Sequence, residues 1–400
     1  MDCLQKMAKI SLILNCYYMN IAFVSRHEFN PQRGGIERVT DTLIKEFLIN
    51  GHNVYSVVLI KENSSYLSPC NIYCFPETDV YSSVNREWYN NLLNEKEINV
   101  IINQYGLSRE SYLFLDIDNH NIKKLTCIHS KALLSYDTYA HLVMCSTWEW
   151  KKIVKLAFLP LFKFKYLTCL KRHYRKVFKM SDKVVFLSSK YKKDIERLHL
   201  DIDITKFESI SNPLPTKQEE LESNKANYVV YCSRMDNEAK NPISMIRIWN
   251  DISKRGLHNW TLIMIGDGPD LLEVKQTAER LGCRNVIFTG FTDPFPYYKK
   301  AKIYCATSKY EGFLMTLIEA MSFGCVPILF DSYVVASEIV DNGKNGFLID
   351  AFDERKFASI LAKLMVTSDI SGLQKEAVEK VKIFSTDRIA SKWFNLFNAI

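Results

Sequence analysis

The chain has 400 residues, with 52 Lys and Arg against 45 Asp and Glu, a net charge of +7, and is 47% hydrophobic and 24% charged. That length exceeds one ordinary hydrophobic core, so two domains are expected, and the composition excludes disorder over most of the chain. Its eleven cysteines are odd in number and sit in apolar runs such as Ile303-Tyr304-Cys305-Ala306, which argues for reduced thiols in a cytosolic compartment.

From the N-terminus, Ile10 to Val24 is largely apolar but is broken by Asn15 and Asn20. It falls short of the ~20 apolar residues that span a bilayer and lacks a small-residue cleavage site. Met19 to Val24 reads instead as a first buried strand, and residues 1–18 as an extension or an upstream start. No other stretch is long and apolar enough to cross a membrane. Further strands are expected at Asn53–Val58, Val100–Asn103, Lys124–Ile128 and Lys183–Leu187. Between the first two, Ile36 to Asn50 has helical apolar spacing at Val39, Leu43 and Phe47 and stops at Gly51.

Ser211-Asn212-Pro213-Leu214-Pro215 and the polar run Thr216 to Asn227 read as an interdomain linker. The rhythm then restarts, with strands at Tyr228–Cys232, Thr261–Ile265, Val286–Phe288, Ile303–Ala306 and Val326–Leu329. Helices are expected at Asn241–Lys254, Leu271–Leu281 and Phe313–Phe323. A last helix from Thr386 to Ile400 carries Ile389, Trp393 and Phe397 on one stripe. The β-α-β alternation predicts an α/β protein with parallel, doubly wound sheets. The expected division is residues 19–212, residues 213–385, and a terminal helix, residues 386–400, returning to the first domain.

Charge is unevenly spread. Between Lys151 and Lys179 there are ten Lys or Arg and no Asp or Glu, interleaved with Ile153, Leu156, Phe158, Leu161, Phe164 and Tyr166. Such a block suits an anionic membrane surface, and it equally fits a helix with one core face and one solvated face. No RNA-binding module accompanies it, which disfavours nucleic acid as a partner.

Three clusters carry chemistry. Arg33-Gly34-Gly35-Ile36-Glu37 lies between the first strand and first helix, where glycines let a ligand approach the backbone and the helix offers free N–H groups. By itself it would also pass as a flexible turn, and it is not the G-x-G-x-x-G of dinucleotide enzymes. Ser233-Arg234-Met235-Asp236 and Lys240-Asn241-Pro242 follow the strand opening the second domain, at the edge where open α/β sheets bind ligands. A guanidinium and an ammonium there suit two phosphates, although a solvated loop is the plainer alternative. The third cluster runs from Glu311-Gly312-Phe313-Leu314-Met315-Thr316 to Glu319. Glu319 stands among Leu317, Ile318, Ala320 and Met321, so its carboxylate needs a partner or a ligand. The backbone of Gly312–Thr316 can receive phosphate oxygens.

Together with Ile265-Gly266-Asp267-Gly268-Pro269, Thr289-Gly290-Phe291 and Asn345-Gly346-Phe347-Leu348, these clusters make the chain, from about residue 20 onward, resemble glycosyltransferase family 4. Those retaining enzymes adopt the GT-B architecture, two Rossmann-like domains with parallel sheets facing across a cleft. The resemblance implies that Arg234 and Lys240 contact the donor diphosphate, and that Gly312, Phe313, Leu314 and Thr316 belong to the donor loop. It places Glu311 by the donor sugar, Glu319 by the ribose, and Gly34 and Gly35 opposite the diphosphate. His129, ending a first-domain strand, resembles the histidine beside the reacting centre, though alone such a histidine is more often structural. Leu314 departs from the proline common after Glu-Gly-Phe.

The expectation is therefore a glycosyltransferase moving sugar from a nucleotide diphosphate sugar to a saccharide or lipid-linked acceptor, with no cofactor. No metal is expected, because no Asp-x-Asp lies near the donor loop; Asp116-Ile117-Asp118 is elsewhere and reads as a turn. Glu37, Lys163, Lys165, Lys171 and Arg172 are the candidates for the acceptor and membrane side. The expected setting is cytoplasmic, peripheral on the inner face of the membrane, in surface polysaccharide or lipopolysaccharide synthesis. A nucleotide-sugar epimerase of GT-B form and a non-catalytic membrane scaffold are the competing readings.

Overall fold

The computed structural model describes residues 18–61, 66–130, 159–215, 222 and 224–400. Among them the first sheet holds β1 (Asn20–His27), β2 (Asn53–Ile60), β3 (Asn71–Cys74), β4 (Val100–Asn103), β5 (Lys123–Ile128), β6 (Lys183–Phe186) and β7 (Phe207–Ser209). Their spatial order is β3-β2-β1-β4-β5-β6-β7, with every pairing parallel. The second sheet holds β8 (Ala226–Cys232), β9 (Thr261–Ile265), β10 (Val286–Gly290), β11 (Ala301–Ala306), β12 (Val326–Asp331) and β13 (Phe347–Asp350), ordered β10-β9-β8-β11-β12-β13 and again parallel. Central strands such as Ile21-Ala22-Phe23-Val24 are wholly buried, as continuous apolar runs must be when helices cover both faces of a sheet.

Helices in the first domain are α1 (Gly35–Ile49), α2 (Ser83–Glu95), α3 (Glu110–Leu115), α4 (Leu159–Met180) and α5 (Tyr191–Arg197). Those after β8 are α6 (Pro242–Lys254), α7 (Leu271–Arg280), α8 (Phe295–Lys300), α9 (Met315–Ser322), α10 (Ala336–Ile339), α11 (Glu354–Val366), α12 (Ser371–Val381) and α13 (Thr386–Asn398). α1 buries Val39, Leu43, Ile44 and Phe47 on one stripe and ends at Gly51, whose φ of 90° closes the turn.

Every strand expected from the sequence is present. β3, β7 and β13 were not foreseen; each is a short edge strand, mostly half-buried. The polar linker ends earlier than expected, because Ala226 already pairs with Ala301. Residues 216–221 and 223 of that linker lie outside the described residues, as do residues 1–17 of the expected extension and 151–158 of the basic block.

The chain passes between the sheets twice, and the two passages touch. Leu214 N–H donates to the Phe384 carbonyl at 2.7 Å, and the Thr386 hydroxyl donates to the Leu214 carbonyl at 2.9 Å. After the second passage α13 lies on α1: Phe47 meets Trp393 at 6.5 Å and Phe397 at 5.7 Å, and Phe394 covers the buried His52 at 4.9 Å. One apolar cluster runs from Phe29 and Val39 through this junction to Phe313, Leu314 and Met315.

α4 carries the described part of the basic block. Its C-terminal half is anchored by buried Tyr174, Val177 and Phe178, by the Tyr112 hydroxyl against His173 Nδ1 at 2.5 Å, and by Lys176 above the Tyr112 ring at 3.6 Å. Its first turns leave Leu161 and Phe164 exposed.

Lys225, just before β8, is buried and donates to the carbonyls of Tyr298, Lys299 and Ala301 at 3.0, 2.8 and 2.8 Å. It thus caps the C-terminal end of α8, where a cation is favoured. Lys225→Met removes all three donors while keeping the apolar stem. It is expected to lower stability by about 2–4 kcal/mol in urea unfolding, the cost of leaving buried acceptors unpaired; an unchanged midpoint would refute the capping role.

Candidate functional site

Both sheets reverse their winding at one point, between β1 and β4 in the first and between β8 and β11 in the second. Loops leaving the carboxyl ends of strands at such a point diverge and leave a crevice. Gly34 and Gly35 follow β1 and Gln104 follows β4; Arg234 to Lys240 follow β8, and Ser308 to Leu314 follow β11.

In the second domain Lys240 Nζ donates to both oxygens of Glu311, at 2.6 and 2.7 Å, and Ser308 Oγ donates to Oε1 at 2.7 Å. The Glu311 side chain is only 8% exposed, so this pair is charge-assisted in a partly dry setting. Lys240 is held from behind: its N–H donates to Asp236 O at 2.8 Å, and its carbonyl accepts from the Tyr231 hydroxyl at 2.9 Å. Asn241 takes a left-handed φ of 55° so that Pro242 can open α6. Arg234 pairs with Asp236 and remains largely exposed. The glycine run after β9 presses on this loop, since a Cβ on Gly266 would stand 2.0 Å from the Ser233 carbonyl oxygen and one on Gly268 2.5 Å from that of Met235.

Glu319, inside α9, has no exposure at all. Burial raises its pKa, and Arg38 of the first domain opposes that rise. The Arg38 guanidinium donates to Glu319 Oε1 at 2.6 Å across 281 positions of sequence. Glu319 Oε2 is buried and finds no partner among the described residues.

The domains meet closely around these pairs. A Cβ on Gly312 would lie 1.9 Å from the His129 carbonyl oxygen, and one on Gly35 3.7 Å from Met315 Cγ. The Tyr191 hydroxyl donates to the Gly312 carbonyl at 3.0 Å. Ser188 donates to Glu338, and Lys190 Nζ to Ser337 Oγ at 2.8 Å, so the seam continues beyond the site. Beside Arg38 opens a cavity of about 1200 Å³, bounded by Asp41 and Lys45 of α1, the passage at Pro215, and Phe291 and Asp293 after β10.

The structure thus brings Gly35, His129, Lys240, Glu311, Gly312 and Glu319 into one interdomain junction. His129 contributes its backbone; its Nε2 meets Gln104 Oε1 at 2.5 Å, Nδ1 is buried with no partner among the described residues, and burial holds the ring near pKa 4, hence neutral at pH 7. Phe313 and Leu314 precede α9 rather than belong to it, since the helix opens at Met315; Phe313 packs on Phe384 at 5.5 Å, while Thr316 bonds the Tyr304 hydroxyl at 2.8 Å. Glu37 folds back on its own helix end, for a Cβ on Gly34 would lie 2.9 Å from its Oε2. Lys163, Lys165, Lys171 and Arg172 stand on α4. Asp116 and Asp118 face Arg86 at 3.8 and 3.0 Å.

Residues 214–381, the body of the second domain, match the profile of the family described as glycosyl transferases group 1. The match covers 168 of the 400 residues, so the likeness is one of the second domain. Similar proteins include the GalNAc-alpha-(1->4)-GalNAc-alpha-(1->3)-diNAcBac-PP-undecaprenol alpha-1,4-N-acetyl-D-galactosaminyltransferase of Campylobacter jejuni, 28% identical over 177 residues, 43% of this chain and 48% of that one. The poly(glycerol-phosphate) alpha-glucosyltransferase of Bacillus subtilis is 26% identical over 234 residues, 56% of this chain and 34% of that one. The matches therefore span half or less of these relatives. Among solved structures, a Staphylococcus aureus TarM mutant in complex with Fondaparinux, alpha-GlcNAc-glycerol and UDP superposes with a TM-score of 0.72 at 16% identity, covering 95% of this chain and 100% of that one. The architecture is GT-B.

Arg38, Ser308 and Gln104 escaped the sequence reading. Arg38 had a signal: it follows Glu37 in the glycine run, one turn into α1. Ser308 and Gln104 had none beyond lying just past strand ends. Gly312→Ala would drive its Cβ into backbone that cannot yield, so the junction must part. A loss of about 1–3 kcal/mol in urea unfolding, together with a larger radius of gyration by X-ray scattering, is expected; a variant as compact and stable as the parent would refute the contact.

Proposed function

We propose that this chain is a retaining glycosyltransferase of family 4, transferring sugar from a nucleotide diphosphate sugar to a saccharide or lipid-linked acceptor. The observation carrying the proposal is the pairing of Lys240 with Glu311 at the second sheet's switch point, against the glycine turn of the first domain. Transfer builds positive charge at the anomeric carbon while the diphosphate leaves with negative charge. Arg234 and Lys240 supply cations for the diphosphate, and the first N–H groups of α9 add a positive helix end. With those groups meeting the charge, the step requires no metal ion. Glu311, paired with Lys240, is placed to meet the donor sugar, and Glu319 the ribose.

His129, with a neutral ring, stands on the first-domain side of the junction. A neutral imidazole can accept but cannot repel the developing positive charge, which suits a place beside the reacting carbon. Retention follows from attack on the face the diphosphate leaves, with the leaving phosphate taking the acceptor's proton.

The undecaprenol-linked and poly(glycerol-phosphate) names of the relatives support an acceptor that is lipid-linked or polymeric, in surface polysaccharide or lipopolysaccharide synthesis. α4 supports a peripheral seat on the inner face of the membrane: Lys165 and Arg172 are exposed on it, as are Leu161 and Phe164. Each such cation contributes about 1 kcal/mol near an anionic bilayer.

A thermal-shift screen of UDP-, GDP- and ADP-sugars tests the donor. One class at a hundredfold excess over its dissociation constant stabilises the fold by about 2.7 kcal/mol. Lys240→Ala and Glu311→Ala are expected to abolish that shift. No shift with any donor, or shifts unaffected by both variants, would sink the proposal. For the membrane seat, co-sedimentation with phosphatidylglycerol vesicles is expected at low salt and to fall by about tenfold in Lys165→Glu/Arg172→Glu, two repulsions near the surface; equal binding of parent and variant would refute it.

A further inference from the structure

His129 and Gln104 stand just past the carboxyl ends of neighbouring parallel strands, β5 and β4. Their side chains meet at 2.5 Å, His129 Nε2 against Gln104 Oε1. An amide oxygen only accepts. With the ring hydrogen on Nδ1, two lone pairs would face each other across that distance; with it on Nε2, the contact is a hydrogen bond. A neutral imidazole carries one such hydrogen, so Nδ1 is left as a bare acceptor.

Gln104 is well held for this contact. Its side chain is buried, and its backbone N–H donates to the Val24 carbonyl of β1 at 3.0 Å. Its own side-chain nitrogen is buried with no partner among the described residues. A buried amide with an unmet donor is costly, and a fold retains one where its oxygen is needed. Val39 and Leu43 of α1, Val185 of β6 and Trp393 of α13 wall the pair in, leaving about 10 Å³ of space. That is room for one water, enough to donate to the bare Nδ1 and too little for the ring to turn out of its seat. Burial holds the ring near pKa 4. Of the described groups lining its cavity only Cys127 also titrates, and burial raises that thiol as well.

We infer that Gln104 is a positioning residue for His129: its amide oxygen fixes the orientation of the imidazole and holds the ring hydrogen on Nε2. That hydrogen is then spent inside the first domain. The consequence for transfer rests on the donor reading above: His129 serves through an uncharged, immobile ring and moves no proton. Gln104 acts only through His129.

The test reads the hydrogen directly, by heteronuclear correlation spectra of the whole chain carrying isotope-labelled histidine. His129→Asn identifies the His129 signals among those of the eight histidines. The parent is expected to carry its hydrogen on Nε2, unchanged between about pH 8 and about pH 6. Gln104→Leu keeps the bulk without the amide and is expected to populate both tautomers. Gln104→Glu sets a carboxylate against Nε2, and the proton affinity of the ring is expected to rise about tenfold or more. A parent with its hydrogen on Nδ1, or shared between the nitrogens, overturns the inference. A merely structural Gln104 would alter stability in Gln104→Leu and leave the tautomer as in the parent, which overturns it too. If that variant fails to fold by circular dichroism, Gln104→Glu carries the comparison, and an unchanged titration of the ring overturns the inference. In transfer assays Gln104→Glu is expected to lose kcat as pH falls through the raised pKa, because an imidazolium repels the charge developing at the anomeric carbon, with the donor KM unchanged. A kcat indifferent to the ring's charge overturns the place of His129 beside the reacting carbon, and a parent inactive with every nucleotide sugar overturns the donor reading; neither result touches the position of the hydrogen.

Discussion

Two carboxylates, Glu311 and Glu319, are withdrawn from water at the junction of the domains, and each is met there by a cation. The two are served differently. Glu311 takes Lys240 from the next loop of its own sheet, so that pair is a property of the second domain alone. Glu319 takes Arg38 from the first domain, so its desolvation depends on the two halves being together. The remaining features of the junction follow. Gly312 is bare because the His129 backbone occupies the space of a side chain, and Gly35 admits Met315 at van der Waals contact. The apolar cluster through Phe313 and Leu314 then excludes water from the charged pairs beside it.

The connections between the domains are suited to this arrangement. Two passages of chain lie side by side, joined through Leu214, Phe384 and Thr386. The Arg38–Glu319 pair, the Tyr191–Gly312 bond and the Ser188–Glu338 bond all cross from the first domain to the second, so any parting of the domains breaks them together. Each is weak beside the whole fold, yet they are coupled because one motion breaks all three.

Much of the frame was legible in the sequence. Central parallel strands are continuous apolar runs, so β1, β4, β9 and β12 announced themselves, and Gly51 marked the end of α1. Edge strands β3 and β7 did not, being three or four residues of partial exposure, and β13 was missed although Phe347-Leu348-Ile349 is an apolar run. The start of α9 was misplaced by two residues because Phe313 and Leu314 are apolar enough to pass for helix, whereas they are extended and packed on the junction. For the site, Lys240, Glu311 and Glu319 could be chosen because an acid in an apolar helix demands explanation. The identity of the Glu319 partner could not be chosen: it lies 281 residues away, and only the folded interface brings it near. Likewise His129 was selectable as a residue type at a strand end, but its neutral state depends on burial that no local pattern encodes.

α13 closes the first domain with the last residues of the chain. Phe47 and His52, formed early in the sequence, have Trp393, Phe394 and Phe397 as their cover. During synthesis those rings emerge from the ribosome about 340 residues after the surface they shield. The leading half must therefore wait with an oily patch bare until residues 393–397 are made. It cannot mature strictly in the order in which it is made, and removing α13 is felt at residues 47 and 52, far back along the chain.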